Sequence, residues 1–166
     1  AFNCESLQEI FVINEMAHLH GLKANVSVRI NPDIDAHTHK YVTTGLYENK
    51  FGISNHEFDK LIEFIQKSEH INFFGLHFHI GSQITRVEEV FSLECKRVND
   101  IVKYFESKGL TVRNINLGGG LGVDYDDPDG NPIADFGTWF NAISKNIIRR
   151  ENQAVHVEPG RSLVAQ

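Results

Sequence analysis

His79, Ser82, Gly118, Gly119, Gly120, Glu158 and Arg161 fall within three short segments, GLHFHIGSQ (75–83), NLGGGLG (116–122) and HVEPGR (156–161). In each, an apolar run of strand-like composition ends in groups that suit a phosphorylated ring. Together they supply an imidazole, a hydroxyl, a triple glycine, a carboxylate and a guanidinium. In parallel α/β sheets and barrels, sites assemble at the C-terminal rim of the strands, because loops converge there and helix N-termini present free N–H groups. One such segment alone would be weak evidence; three make a candidate site.

Each residue has a plain structural reading beside the chemical one. A glycine run between a buried strand and a turn lets several backbone N–H groups face one concavity, which suits a phosphate. A tight turn needing positive φ accounts for one or two glycines; Gly118, Gly119 and Gly120 in succession, with Gly122 after them, favour close approach to a ligand. The spacing is not that of a dinucleotide fingerprint. Arg161 follows Glu158 by three residues across Pro159-Gly160. It reads either as a charged fork for phosphate or as the local ion-pair partner of Glu158.

His77 and His79 alternate along a strand and so face one side. A strand of this His-x-His pattern also opens the metal-dependent barrel hydrolases, but those need further histidines and an aspartate at later strand ends. The later ends here carry Gly118–Gly120 and Glu158–Arg161, so no metal is expected. His79 therefore reads as a flat surface against a planar ring, and Ser82 as a hydroxyl for phosphate. His77, one pleat deeper, reads as a core histidine with a satisfied hydrogen bond. Arg29 lies inside an apolar strand and must pair; beside His79 it would orient the imidazole or the ring. His37 and His39, next to Asp33 and Asp35, resemble a metal cluster in composition but lack the glycine framework of a calcium loop, and read as a solvated loop. Lys50 reads as a structural ion pair or an interface residue.

The elements that must position these groups follow from periodicity. Ser6 with Glu9 is a capping-box pattern that opens a helix over 7–19, which Gly21 ends. VSVRI (26–30) is a β-branched strand stopped by Asn31-Pro32. After a long loop, Ser54 or Asn55 caps a second helix with the apolar stripe Phe58, Leu61, Ile62 and Ile65. Further strands are predicted over 71–80, 112–117 and 154–157, with helices over 87–107 and 136–150. Four strands separated by single helices imply parallel pairing and right-handed crossovers. They would form an open sheet or part of an eight-stranded (β/α) barrel, whose usual length is about 250 residues; the strand-end residues favour the second.

Composition bounds the rest. With 166 residues, 41% of them hydrophobic and 23% charged, the chain makes one domain with a real core and is too short for two. The net charge of −6, with no cluster of Lys and Arg, argues against a nucleic-acid surface. No apolar run approaches the roughly 18 residues of a membrane span. Cys4 and Cys95 have no short-spaced partners, a pattern of reduced thiols in a cytoplasmic protein. The chain starts at Ala1 and not at a methionine, so an upstream segment is expected.

The stretches VRINPDIDAHTHKYVTTGLYENKFGI, GLHFHIGSQI, NLGGGLGVDY and EPGRSLVA resemble the diaminopimelate decarboxylases, within the barrel-type pyridoxal-phosphate decarboxylases and racemases, and the resemblance extends over nearly the whole chain. That resemblance implies an N-terminal (β/α)8 barrel followed by a β-rich domain, in a cytoplasmic homodimer. Its implied activity removes one carboxylate from meso-2,6-diaminopimelate, giving L-lysine and carbon dioxide, the last step of lysine biosynthesis. Another basic amino acid or a carboxylated polyamine is the alternative substrate. Outside that class, the alternatives are a metal-dependent barrel hydrolase and a non-catalytic phosphate-binding module.

Carried over by motif, the implied cofactor is pyridoxal 5'-phosphate. His79 would stack on its ring, and Ser82 with Gly118, Gly119 and Gly120 would bind its phosphate. Glu158 would pair with the pyridine nitrogen, Gly160 and Arg161 would hold phosphate, Arg161 would also contact substrate, and Arg29 would support the ring from below. No lysine here falls in the family's Schiff-base motif, so that residue and the β domain are expected outside this partial barrel, and the chain alone is expected to be inactive.

Overall fold

The computed structural model describes residues 1–34, 51–131 and 133–165. His37, His39, Asp35 and Lys50 lie outside them. The elements run β1 (Phe2–Cys4), α1 (Leu7–Leu19), β2 (Ala24–Arg29), a 3-10 turn (Asn55–Glu57), α2 (Phe58–Lys67), β3 (Ile71–His77), α3 (Val87–Ser107), β4 (Asn114–Asn116), α4 (Phe136–Asn146), β5 (Ala154–His156) and α5 (Arg161–Val164). The five strands form one parallel sheet in sequence order, with β1 and β5 at its edges. It is the α/β arrangement of a partial barrel, with the sheet unclosed.

Strand register separates the two faces. Cys4, Val28, Leu76, Ile115 and Val155 form one row across all five strands, and the first four are almost wholly buried. The next row is Arg29, His77, Asn116 and His156, so the opposite face is polar. Aromatic pairs join the helices that cover the apolar face: Phe11 with Phe64 (α1–α2), Phe58 with Phe105 (α2–α3) and Phe91 with Trp139 (α3–α4). Rings in such tilted contacts add to the area they bury. Hence the helices occupy one layer, and the strand ends stay open for chemistry.

Local chemistry sets most boundaries. Ser6 Oγ accepts from the Glu9 N–H at 3.2 Å, while the Glu9 carboxylate accepts from the Glu5 N–H, one residue earlier than in the usual capping box. Gly21 takes the positive φ that closes α1. Five features differ from the sequence expectation, the first being the short α5, for which the sequence predicts no helix. A fifth strand, β1, precedes α1; at three residues it is too short to show a period. Neither Ser54 nor Asn55 caps α2 directly, because the 3-10 turn intervenes and Ser54 makes no side-chain capping bond. The strands at 71, 112 and 154 are shorter than expected, and Gly118 turns the chain at positive φ soon after β4. Finally, α4 stops at Asn146. Asn99 on α3 takes both exposed backbone groups there, donating to Asn146 O at 2.8 Å and accepting from the Ile148 N–H at 2.9 Å. That stop is tertiary and leaves no local signal.

One core residue stands apart. Glu94, on the buried face of α3 with Val90, Phe91 and Val98, is fully buried, and neither carboxyl oxygen has a hydrogen-bond partner among the described residues. Burial pushes its pKa well above the ordinary 4.5. The folded state therefore holds a proton that the unfolded chain gives up near that value, and stability must fall as pH rises above it. Glu94→Gln should remove this loss: melting temperatures of variant and parent should converge near pH 4.5 and separate in the variant's favour towards neutral pH. Parallel melting curves at all pH values would contradict it.

Candidate functional site

All the sequence-predicted groups that are described gather at the C-terminal rim of β2 to β5. Asn116 Nδ2 donates to Glu158 Oε1 at 2.7 Å, and the other carboxylate oxygen lies 3.5 Å from His77 Nε2. At that length the second contact is electrostatic. His77 is 7% exposed, and neither ring nitrogen has a hydrogen-bond partner among the described residues, so the expected satisfied bond is missing. Burial lowers the His77 pKa, Glu158 partly offsets this, and Arg29 and His79 add to the lowering. The imidazole is therefore neutral at pH 7. For Glu158, partial burial acts to raise the pKa, but the net shift is downward, and the hydrogen bond from Asn116 is the foremost cause that lowers it. The carboxylate is ionised, and Asn116 holds it in place.

Arg29 lies beside His77 in register, not beside His79. Its guanidinium pairs with Glu5 and sits 5.3 Å from the Phe51 ring centroid. The pairing partner it required is thus on the β1–α1 connection.

The triple glycine wedges between two other strand ends. A Cβ on Gly119 would lie 2.1 Å from Glu158 O; on Gly118 it would lie 2.3 Å from Phe78 O, and on Gly120 2.3 Å from Gly81 O. Gly118 and Gly120 also take φ of +67° and +105°. Close approach of protein backbone therefore requires these glycines whether or not a ligand is present. Two of the three N–H groups are already engaged: Gly118 donates to Asn116 Oδ1 at 2.9 Å and Gly119 to His79 Nδ1 at 3.3 Å. Nδ1 accepts in that contact, which assigns the ring proton to Nε2.

Arg161 turns away from Glu158. Its Nη1 donates to the Tyr125 hydroxyl at 2.7 Å and its Nη2 reaches Ser82 Oγ at 3.4 Å, so the local Glu158–Arg161 ion pair is not formed. Ser82 and Arg161, 79 residues apart in sequence, meet on one rim. Gly160 sits before α5 with open space around its Cβ position, and its N–H donates to Glu158 O. Sequence reasoning gave no role to Asn116, Gln83 or Tyr125. Gln83, at φ +59°, clamps Val123 from both sides, donating to its carbonyl at 2.5 Å and accepting from its N–H at 3.2 Å. All three lie within the quoted motifs, and membership in those motifs was the available signal. Among the described residues no group of three or more His, Cys, Asp or Glu is placed to hold a metal ion.

Residues 1–165 match the family described as pyridoxal-dependent decarboxylase, pyridoxal binding domain. Diaminopimelate decarboxylase from Bacteroides thetaiotaomicron is 45% identical over 99% of this chain, and that from Pseudomonas aeruginosa 42% identical over 99%. The chain spans 42% and 38% of their lengths. The crystal structure of a diaminopimelate decarboxylase mutant from Helicobacter pylori, complexed with L-lysine, superimposes with a TM-score of 0.83 at 36% identity. It covers 98% of this chain and 40% of that one.

The glycine geometry makes a direct prediction. Gly119→Ala should destabilise the fold by about 1–3 kcal/mol through overpacking against Glu158, whereas Gly160→Ala should stay within about 0.5 kcal/mol of the parent. Denaturant titration of both variants checks this; equal stabilities would refute the wedge.

Proposed function

Since the chain belongs to the pyridoxal-dependent decarboxylases, matching their pyridoxal-binding domain, we propose that it forms the cofactor-holding part of a diaminopimelate decarboxylase. That enzyme releases carbon dioxide and L-lysine from meso-2,6-diaminopimelate. The observation that carries the reading is the single rim on which an ionised, oriented Glu158 and the Ser82–Arg161 pair are locked together by Gly118–Gly120.

These residues fit pyridoxal 5'-phosphate chemically. Ser82 offers a hydroxyl and Arg161 a guanidinium to the phosphate, and the Gly120 N–H faces the same role. The Gly118 and Gly119 N–H groups, spent on Asn116 and His79, act by shaping the cradle. His79, its ring fixed by the Gly119 N–H, offers a flat face to the pyridine ring. Glu158 would hold a proton on the ring nitrogen, and Asn116 keeps the carboxylate oriented for that task. Neutral His77 behind it adds no competing positive charge. When bound, the cofactor supplies an electron-withdrawing ring that accepts the electron pair left by carbon dioxide. Arg29, paired with Glu5, braces the β2 end beside His77 and so supports the site from below. Arg161 would also contact substrate.

On this reading the lysine that anchors the cofactor and the β-rich domain that completes the site lie outside the 166 residues, and the whole protein works as a cytoplasmic homodimer. No helix among the described residues is long and apolar enough to cross a membrane.

The test is turnover by the full-length protein with meso-2,6-diaminopimelate and pyridoxal phosphate, which should yield carbon dioxide and L-lysine in equal amounts. Faster turnover of another basic amino acid would replace the substrate assignment. Glu158→Gln should retain cofactor yet lower kcat and kcat/KM together, by about 10²–10³ on analogy with lost transition-state hydrogen-bond donors. Unchanged kcat with a lowered melting temperature would make Glu158 structural only.

A further inference from the structure

Arg161 is exposed and follows a glycine, so nothing in its own segment fixes its long side chain. A guanidinium free to sample many rotamers gives up conformational entropy when it is immobilised on a ligand. Here one contact removes much of that freedom: Nη1 donates to the Tyr125 hydroxyl at 2.7 Å, leaving Nη2 directed at Ser82 Oγ, 3.4 Å away. The guanidinium carbon is 5.9 Å from the Tyr125 ring centroid, at the outer limit for attraction to a ring face, so the hydroxyl is the contact that matters. Tyr125 is itself tied down two residues earlier by the two-sided Gln83–Val123 clamp, and Gln83 adjoins Ser82. The contacts close a ring from Ser82–Gln83 through Val123–Tyr125 to Arg161 and back to Ser82.

We infer that Tyr125 is a positioning residue, whose hydroxyl pre-orients the Arg161 guanidinium towards Ser82 for the phosphate of the bound cofactor. This rests on the proposed cofactor site and assigns Tyr125 no contact with the reacting atoms. Its contribution is preorganisation of a charge-assisted contact in a partly solvated place, worth about threefold to tenfold in affinity.

The experiment is a double-mutant cycle in the full-length protein, with pyridoxal phosphate as the titrated probe and Tyr125→Phe, Arg161→Ala and the double variant compared. Tyr125→Phe keeps the ring and removes the acceptor. It should raise Kd about threefold to tenfold alone, by less than twofold in the Arg161→Ala background, and leave the cofactor-free melting temperature unchanged. The same fold-loss in both backgrounds, or no loss in either, would overturn the inference. A crystal structure of cofactor-free Tyr125→Phe gives the second readout. The guanidinium should leave Ser82; if it keeps its place, Tyr125 does not position it. Should the parent protein itself fail to bind pyridoxal phosphate, the cofactor reading falls, while the position of Arg161 in that crystal still decides the role of Tyr125.

Discussion

The rim depends on one steric constraint: three strand ends approach so closely at Gly118–Gly120 that no side chain fits between them. The carbonyls of Phe78 and Gly81 press on one side of the glycine run and that of Glu158 on the other, each within about the distance a Cβ would occupy. Interiors are packed densely enough that such contacts cannot be relaxed locally. Removing the wedge would move Glu158 relative to His77 and Asn116, and the β3 end relative to Arg161. The positive φ at Gly118 and Gly120 adds a conformational reason to the steric one.

The wedge also sorts the polar groups. Backbone N–H groups of Gly118 and Gly119 are spent on Asn116 and His79, which fixes an amide and an imidazole at neighbouring strand ends. Asn116 then donates through its Nδ2 to Glu158, so one side chain links the glycine turn to the carboxylate. Two titratable neighbours are driven to opposite outcomes by environment: His77, buried, is kept neutral, whereas Glu158, half exposed and hydrogen-bonded, stays charged. Arg29 meets its charge requirement on Glu5 and leaves the rim's carboxylate to Asn116. These pairings are local enough that one strand end cannot be understood without the next.

Much of this was legible from residue types. The helix starts at Leu7 and Val87, the order of strands and helices, and the gathering of three motifs at one rim follow from capping patterns, periodicity and the rule that parallel strands present chemistry at their C-terminal ends. What was not legible depended on contacts between distant segments. The end of α4 is set by Asn99, some 47 residues away. Arg161 chooses Tyr125 and Ser82 over its near neighbour Glu158, because direction across the rim outweighs sequence proximity. The glycines looked like ligand-facing groups, and the space they leave is filled by protein backbone. β1 was missed for a different reason: three residues do not make a period.

We propose that the three strand ends form one cradle for a phosphorylated pyridine, with phosphate at the Ser82–Arg161 side and ring nitrogen at Glu158. The most direct measurement is a crystal structure of the full-length protein with pyridoxal phosphate bound. Phosphate oxygens should lie within hydrogen-bonding reach of Ser82 Oγ, the Gly120 N–H and the Arg161 guanidinium, with the pyridine nitrogen on the Glu158 carboxylate. A phosphate held away from this rim, or a ring nitrogen facing any group other than Glu158, would contradict it.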